Sequence, residues 1–261
     1  MKRIYKRSEE PYRLKRYRER WPYETWDRFH RYDRDAYREI KKALLEDQHY
    51  LCAYCEIDIK FADDVTTDPN IIDDFRVEHF VPKSTTREGG HNYHLDWWNM
   101  LGVCHGASQS KVVDAKKRYS KLMSDRSCDV PKSGKTISGN ILNPLKIPKR
   151  QRLFSFVEVS GKMLVDTTSC PSSLVRKAEN TIEELNLNAP RLMRMRKAVI
   201  DRLDEQVNEE QANGRPLEEI FTEMAQMFLI PYDNKSLPFF SVMRWYLGKY
   251  AEELIATEHI L

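Results

Sequence analysis

Four cysteines fall in two separated sets. Cys52 and Cys55 frame Ala53-Tyr54 as a C-x-x-C turn, and Cys104 and Cys128 follow further along the chain. A C-x-x-C turn offers two thiolates to one ion at about 2.3 Å, and two more soft ligands would close a tetrahedral zinc site. Cys104 and Cys128 are the candidates, although their wide spacing leaves His105 as a competitor for the fourth position. The fifth cysteine, Cys170, is spare. An odd cysteine count without an export signal favours metal ligation over disulfide bonding. A structural zinc contributes on the order of 10 kcal/mol or more to a small site, so folding of residues 50–132 is expected to depend on it.

Between and beside the thiols stand Glu78-His79, Asn99 and Asp129. Phosphodiester hydrolysis needs an activated water, neutralised phosphate charge and a stabilised leaving oxygen, and a histidine base beside one divalent cation supplies all three. His79 is the expected base. Glu78 would hold Mg²⁺ or Mn²⁺, Asn99 would add an oxygen ligand or orient the imidazole, and Asp129 would complete the metal shell. A Glu-His dipeptide alone carries little information, and its place among the thiols gives it weight. His91 and His94 sit in a polar loop after Gly89-Gly90 and stay off the catalytic list. Lys83 and Lys132 are placed either to meet a backbone phosphate or to lie solvated.

The elements that would position these groups are legible in outline. Tyr37, Ile40, Leu44 and Leu51 lie near helical spacing, so a helix over 36–50 should deliver the chain into the Cys52–Cys55 knuckle. The run from Phe75 to Val81 alternates like a strand stopped by Pro82. Residues 63–74 read as a surface insertion, and a second insertion separates Cys104 from Cys128. After Asn143-Pro144 the composition changes: Phe154–Val159 and Met163–Val165 flank Ser160-Gly161-Lys162 as a hairpin. Helical periodicity follows through Leu174–Leu185 and Leu192–Val207, then Leu217–Leu229, and a last helix holds Phe239 to Tyr250. The fold class is α+β, in three parts: 1–45 a basic aromatic arm and leading helix, 46–145 a zinc-containing nuclease domain, 146–261 a hairpin plus helical domain.

Composition narrows the class. Charged residues make up 32% of the 261-residue chain and aromatics 11%, which fits a folded protein better than a disordered one. No apolar run approaches the roughly 18 residues that span a bilayer, and the basic start of the chain lacks the apolar stretch of an export signal, so the expected location is the cytoplasm without a membrane. The net charge of +3 is uneven: residues 1–42 carry fifteen Lys and Arg against eight Asp and Glu, a local +7. Eight aromatic residues, from Tyr5 to Tyr32, interleave with those bases. That mixture suits phosphate contact with base stacking, and it equally suits aromatics packed on the main body with solvated arginines. DNA and RNA, tRNA included, both remain open as substrates.

Glu78-His79-Phe80-Val81-Pro82-Lys83-Ser84, Trp98-Asn99-Met100-Leu101 and Cys128-Asp129-Val130-Pro131-Lys132 resemble the ββα-metal motif of zinc-knuckle HNH endonucleases, over about residues 50–135. The resemblance implies strand, loop, strand and helix, with the base at the end of the first strand and zinc pinning the ends. Asp129 departs from it, standing where a histidine is frequent. A carboxylate there suits a hard cation, so altered metal preference is expected. Asn140–Leu145, the hairpin and Thr181–Asn188 with Leu192 and Arg196 are similar to the PtuB family of Septu and retron-associated anti-phage systems. That likeness implies an ABC/SMC-like ATPase partner of the PtuA type and, in retron forms, a reverse transcriptase with its msDNA. The competing reading is a zinc-stabilised nucleic-acid-binding or ATPase-regulating scaffold without cleavage, which would have no need of Glu78, His79, Asn99 and Asp129 together.

Overall fold

The computed structural model describes residues 1–87 and 89–258. The basic arm is folded into α1 (Tyr12–Arg20) and α2 (Trp26–Tyr32), followed by α3 (Arg34–Asp47). Local chemistry starts two of these helices: Thr25 caps α2 through Arg28 N–H at 3.3 Å, and Asp33 caps α3 through Ala36 N–H at 2.8 Å. Their apolar positions, Leu14, Trp26, Phe29, Ala36, Ile40 and Leu44, bury against Leu95, Trp97 and Met100. Part of the arm's aromatic content is therefore core and part is surface.

The leading helix ends at Asp47, earlier than its periodicity suggests, because Gln48 leaves it to serve three segments at once. Its amide donates to the carbonyls of Leu51 and Gly102, both at 2.8 Å, and accepts from Gly102 N–H at 2.7 Å. Helix end, cysteine knuckle and sheet are thereby joined. β1 (Phe75–His79) and β2 (Met100–Cys104) form an antiparallel pair in which His79 faces Met100 and Phe75 faces Cys104. The strand stops at His79 rather than Val81, since the Val81 N–H bonds the Asn99 side chain at 2.7 Å instead of a ladder partner.

The insertion after β2 carries α4 (Ala115–Arg118) and returns at α5 (Asp129–Lys132). The hairpin β3 (Phe154–Val157) and β4 (Lys162–Val165) turns at Gly161, whose φ of +66° and missing Cβ let it press against the Met193 carbonyl of α7 (Pro190–Ala212). α6 (Ser172–Glu184) precedes α7, and α8 (Leu217–Leu229), α9 (Phe240–Leu247) and α10 (Lys249–Thr257) complete the chain. The last helical stretch is two helices, broken where Gly248 takes a positive φ of 55°. One apolar core joins Cys52–Phe61 to Phe154, Leu187, Leu192 and Val242, running across the 145–146 boundary. A second core lies among α7, α8, α9 and α10 around Leu203, Met224, Met243 and Ile255. Among the described residues no helix is long and apolar enough to cross a membrane.

Candidate active site and metal centre

The knuckle forms because Cys52 N–H donates to the Ile57 carbonyl at 2.8 Å and Glu56 N–H to the Cys52 carbonyl at 3.1 Å, which turns both thiols to one side. Cys104 ends β2 and Cys128 precedes α5. Residues 105–127 loop away between them and close at Gly106, where Ser127 N–H meets the Gly106 carbonyl at 3.3 Å. A Cβ on Gly106, which has φ +52°, would overlap the Ser127 carbonyl oxygen and Val130. Cys128 itself sits at φ +61°, a costly conformation for a non-glycine residue that its surroundings must hold.

All four sulfurs are buried and lie within 4.8 Å of one another. The separations are 3.9 Å for Cys52–Cys128, 3.7 Å for Cys55–Cys104 and 3.6 Å for Cys104–Cys128. Zinc–sulfur bonds of about 2.3 Å in a tetrahedron require sulfurs about 3.8 Å apart, so the donor set fits that ion. Hydrogen bonding to Cys104, Cys52 and Cys55, together with burial, pushes the Cys128 thiol up. A divalent cation replacing the thiol protons removes this conflict. His105 is not in the four-sulfur group; its Nε2 lies 3.0 Å from the Asp73 carbonyl. Cys170 is buried elsewhere, bonded to the Pro171 carbonyl.

His79 ends β1, 6% exposed, with Trp26 packed edge-on at 5.0 Å between ring centroids. Its Nε2 lies 3.1 Å from the His94 carbonyl and must donate there, which leaves Nδ1 with the free lone pair. Burial pushes its pKa down to about 3, so the ring is neutral at neutral pH. Asn99 holds the loop that supplies this carbonyl: it accepts from Val81 N–H and donates to the carbonyls of Val81 and Tyr93, at 2.9 and 3.1 Å.

Strand alternation puts Arg76 and Glu78 on the face opposite His79. There Lys132 of α5 donates to Glu78 Oε1 at 2.6 Å and to the His79 carbonyl at 3.2 Å, and Arg76 meets Asp129 Oδ2 at 2.6 Å. Burial raises the Glu78 carboxyl against the pull of Lys132, and the charge of Asp129 adds to the rise. Asp129 Oδ1 is buried without a hydrogen-bond partner. Each of the two acids faces a protein cation, Glu78 facing Lys132 and Asp129 facing Arg76. Among the described residues, the four thiols are the group of three or more Cys, His, Asp or Glu ligands that lies together.

No family model matches the chain. It is 34% identical over 222 residues to an Escherichia coli protein named "Retron Ec83 putative HNH endonuclease", covering 77% of this chain and 79% of the relative. The chain belongs to the HNH endonucleases. As an HNH endonuclease it is a nuclease with a mixed helix-and-sheet fold and a four-cysteine cluster suited to a metal such as zinc.

Several side chains of this HNH endonuclease stand where sequence reasoning did not put them. Lys132, a candidate phosphate contact, is 1% exposed and faces Glu78. Asn99 spends both amide atoms on backbone, its oxygen on Val81 N–H and its nitrogen on the Val81 and Tyr93 carbonyls. His91 bonds Asp96 at 2.8 Å, while His94 gives its carbonyl to His79 and its Nδ1 to Trp26 N–H at 3.2 Å. Lys83 is partly exposed, 3.5 Å from Asp27. Arg76, Trp26 and Tyr54, whose buried hydroxyl lacks a partner, were missed. The period-2 spacing of Arg76 and Glu78 was the available signal for the first. Nothing in the sequence links Trp26 to His79.

Proposed function

We propose that the chain hydrolyses nucleic-acid phosphodiester bonds with a divalent cation and acts in the cytoplasm as the effector of an anti-phage defence system. The carrying observation is the neutral His79, tied by Nε2 to the His94 carbonyl with Nδ1 left free. In this reading His79 Nδ1 takes the proton of the water that attacks phosphorus. The P–O bond to the leaving sugar oxygen breaks as the new bond forms, and that oxygen takes up a proton from solvent. Asn99 keeps the His94 carbonyl in place, and Lys132 fixes Glu78 and the end of β1. Mg²⁺ or Mn²⁺ would, when bound, neutralise phosphate charge and stabilise the leaving oxygen; Glu78 and Asp129, which lie across β1 from His79, would hold that cation only by leaving Lys132 and Arg76. The four thiolates would hold zinc and keep β2 and α5 together, giving a ββα-metal frame.

Likeness to a retron-associated relative supports a retron setting, with a reverse transcriptase and its msDNA nearby. The PtuB-like sequence runs add an ABC/SMC-like ATPase of the PtuA type as partner. The test is cleavage of plasmid DNA, single-stranded DNA and total tRNA with Mg²⁺ or Mn²⁺, with and without the neighbouring ATPase, beside His79→Ala. Cleavage by the wild type and none by the variant is expected. Undiminished cleavage by His79→Ala overturns the mechanism.

A further inference from the structure

Seven aromatic side chains are exposed among the described residues, and five of them, Tyr5, Tyr12, Trp21, Tyr23 and Tyr32, lie in the first 32 residues. A sixth, Trp98, directly precedes Asn99 on the catalytic loop. Packing does not require them, because Leu14, Trp26 and Phe29 already supply the apolar face of α1 and α2. Four of the exposed rings carry a guanidinium over them: Arg3 at 4.7 Å from the Tyr5 ring, Arg16 at 5.8 Å from Tyr12, Arg20 at 4.5 Å from Trp21 and Arg28 at 5.9 Å from Tyr32.

The charges of this surface are available. Arg7, Arg13 and Arg18 are spent on acidic partners. Lys15, Arg16, Arg20, Arg31 and Arg34 are exposed, and none appears in an ion pair among the described residues. Tyr12, Arg16 and Arg20 recur every four residues on one face of α1, a stripe about 12 Å long. The arm is also fastened to the catalytic loop. Asn92 donates to the carbonyls of Pro22 and Glu24 at 2.8 and 2.9 Å, and Trp26 N–H meets His94, whose carbonyl holds His79.

We infer that the exposed face of α1 and α2 is a stacking platform for unpaired bases that leads a single-stranded nucleic acid to His79. The inference rests on the nuclease reading and names the substrate class. Free cations meet phosphates on any strand, but rings standing out in solvent bind only bases that are already unstacked. Charge separates this occupant from a neutral protein surface: residues 1–42 sum to +7 while the whole chain sums to +3. The shared chemistry covers single-stranded DNA and the unpaired segments of RNA.

The test is fluorescence anisotropy of the full chain, without added divalent cation, on labelled oligo-dT and oligo-U of about 20 nucleotides and on a duplex of equal length, a span of a few binding sites. The wild type and Tyr12→Ala/Tyr23→Ala/Tyr32→Ala are compared at two salt concentrations. These side chains are exposed, and an unchanged melting curve shows that the variant folds. The expected result is tighter binding of single strands than of duplex, weakened about tenfold or more in the variant, with little change for duplex. Equal wild-type affinity for duplex and single strand, or a folded variant that binds single strands as the wild type does, overturns the platform. The second outcome assigns the face to a protein partner instead. Binding by His79→Ala separates the two readings. Tight single-strand binding without cleavage supports both, whereas tight binding with full cleavage removes His79 from the chemistry and leaves the platform standing.

Discussion

Replacing Asn99 with alanine removes three hydrogen bonds at once, those to Val81 N–H, the Val81 carbonyl and the Tyr93 carbonyl. At about 1 kcal/mol net for each bond the upper value is about 3 kcal/mol. Asn99 is buried, but Val81 and Tyr93 are only half-buried, so water reaches part of what is freed and the expected loss is about 2 kcal/mol. For a chain of this size that lowers the melting temperature by about 4–8 °C. The catalytic effect is larger. Tyr93 precedes His94, whose carbonyl sets the His79 ring, and a displacement of about 1 Å costs about a hundredfold in rate. Urea unfolding measures the first quantity, and single-turnover cleavage across a Mn²⁺ titration measures the second. A residue that only orients His79 lowers the rate and leaves the Mn²⁺ dependence in place. Asn99→Asp brings no rescue, because a carboxylate cannot donate to the Val81 and Tyr93 carbonyls. The reasoning is refuted if Asn99→Ala melts lower yet cleaves like the wild type, or if its loss is restored by raising Mn²⁺.

Other perturbations give equally definite readings. Gly106→Ala forces a Cβ into the Ser127 carbonyl and Val130, at an expected cost of about 3 kcal/mol or more, and zinc content by metal analysis falls with stability. Cys55→Ser, or prolonged chelation, removes a ligand from the four-sulfur set and unfolds residues 50–132 well below the wild-type melting temperature; unchanged melting after proven metal loss counts against a structural ion. The His79 pKa is lowered from 6.5 to about 3, so the unfolded chain binds more protons between those values and stability is lost as pH falls through that window. From pH 7 to pH 5 the wild type therefore loses about 2 kcal/mol that His79→Gln keeps, measured by urea unfolding, and parallel losses in both chains contradict the burial argument. Lys132→Met leaves Glu78 buried without its cation and should cost about 3 kcal/mol or more, read by the same assay.

How far these features were legible in the sequence follows from the range of the forces involved. The cysteine quartet was legible because ligand type and the C-x-x-C spacing are local, and the folded chain brings the four sulfurs together. β1 was legible from alternation, and its early stop was not, because the competitor for Val81 N–H is a side chain 18 residues away. The wide Cys104–Cys128 spacing left His105 in play, because only the closure of the loop at Gly106 brings Cys128 rather than the imidazole to the other three sulfurs. The arm was ambiguous for a different reason. α1 and α2 are nine and seven residues long, too short for a hydrophobic period to separate buried rings from exposed ones. Trp26 and Tyr23 are three residues apart and look alike in composition, yet one is packed on His79 and the other stands in solvent. Which ring goes inward is decided by the loop of Asn92 and His94 and not by local periodicity. The loop that hides Trp26 also holds the backbone on either side of Tyr23. A loss of loop order in Asn99→Ala should therefore loosen the arm as well, and hydrogen exchange in residues 22–30 is the place to see it.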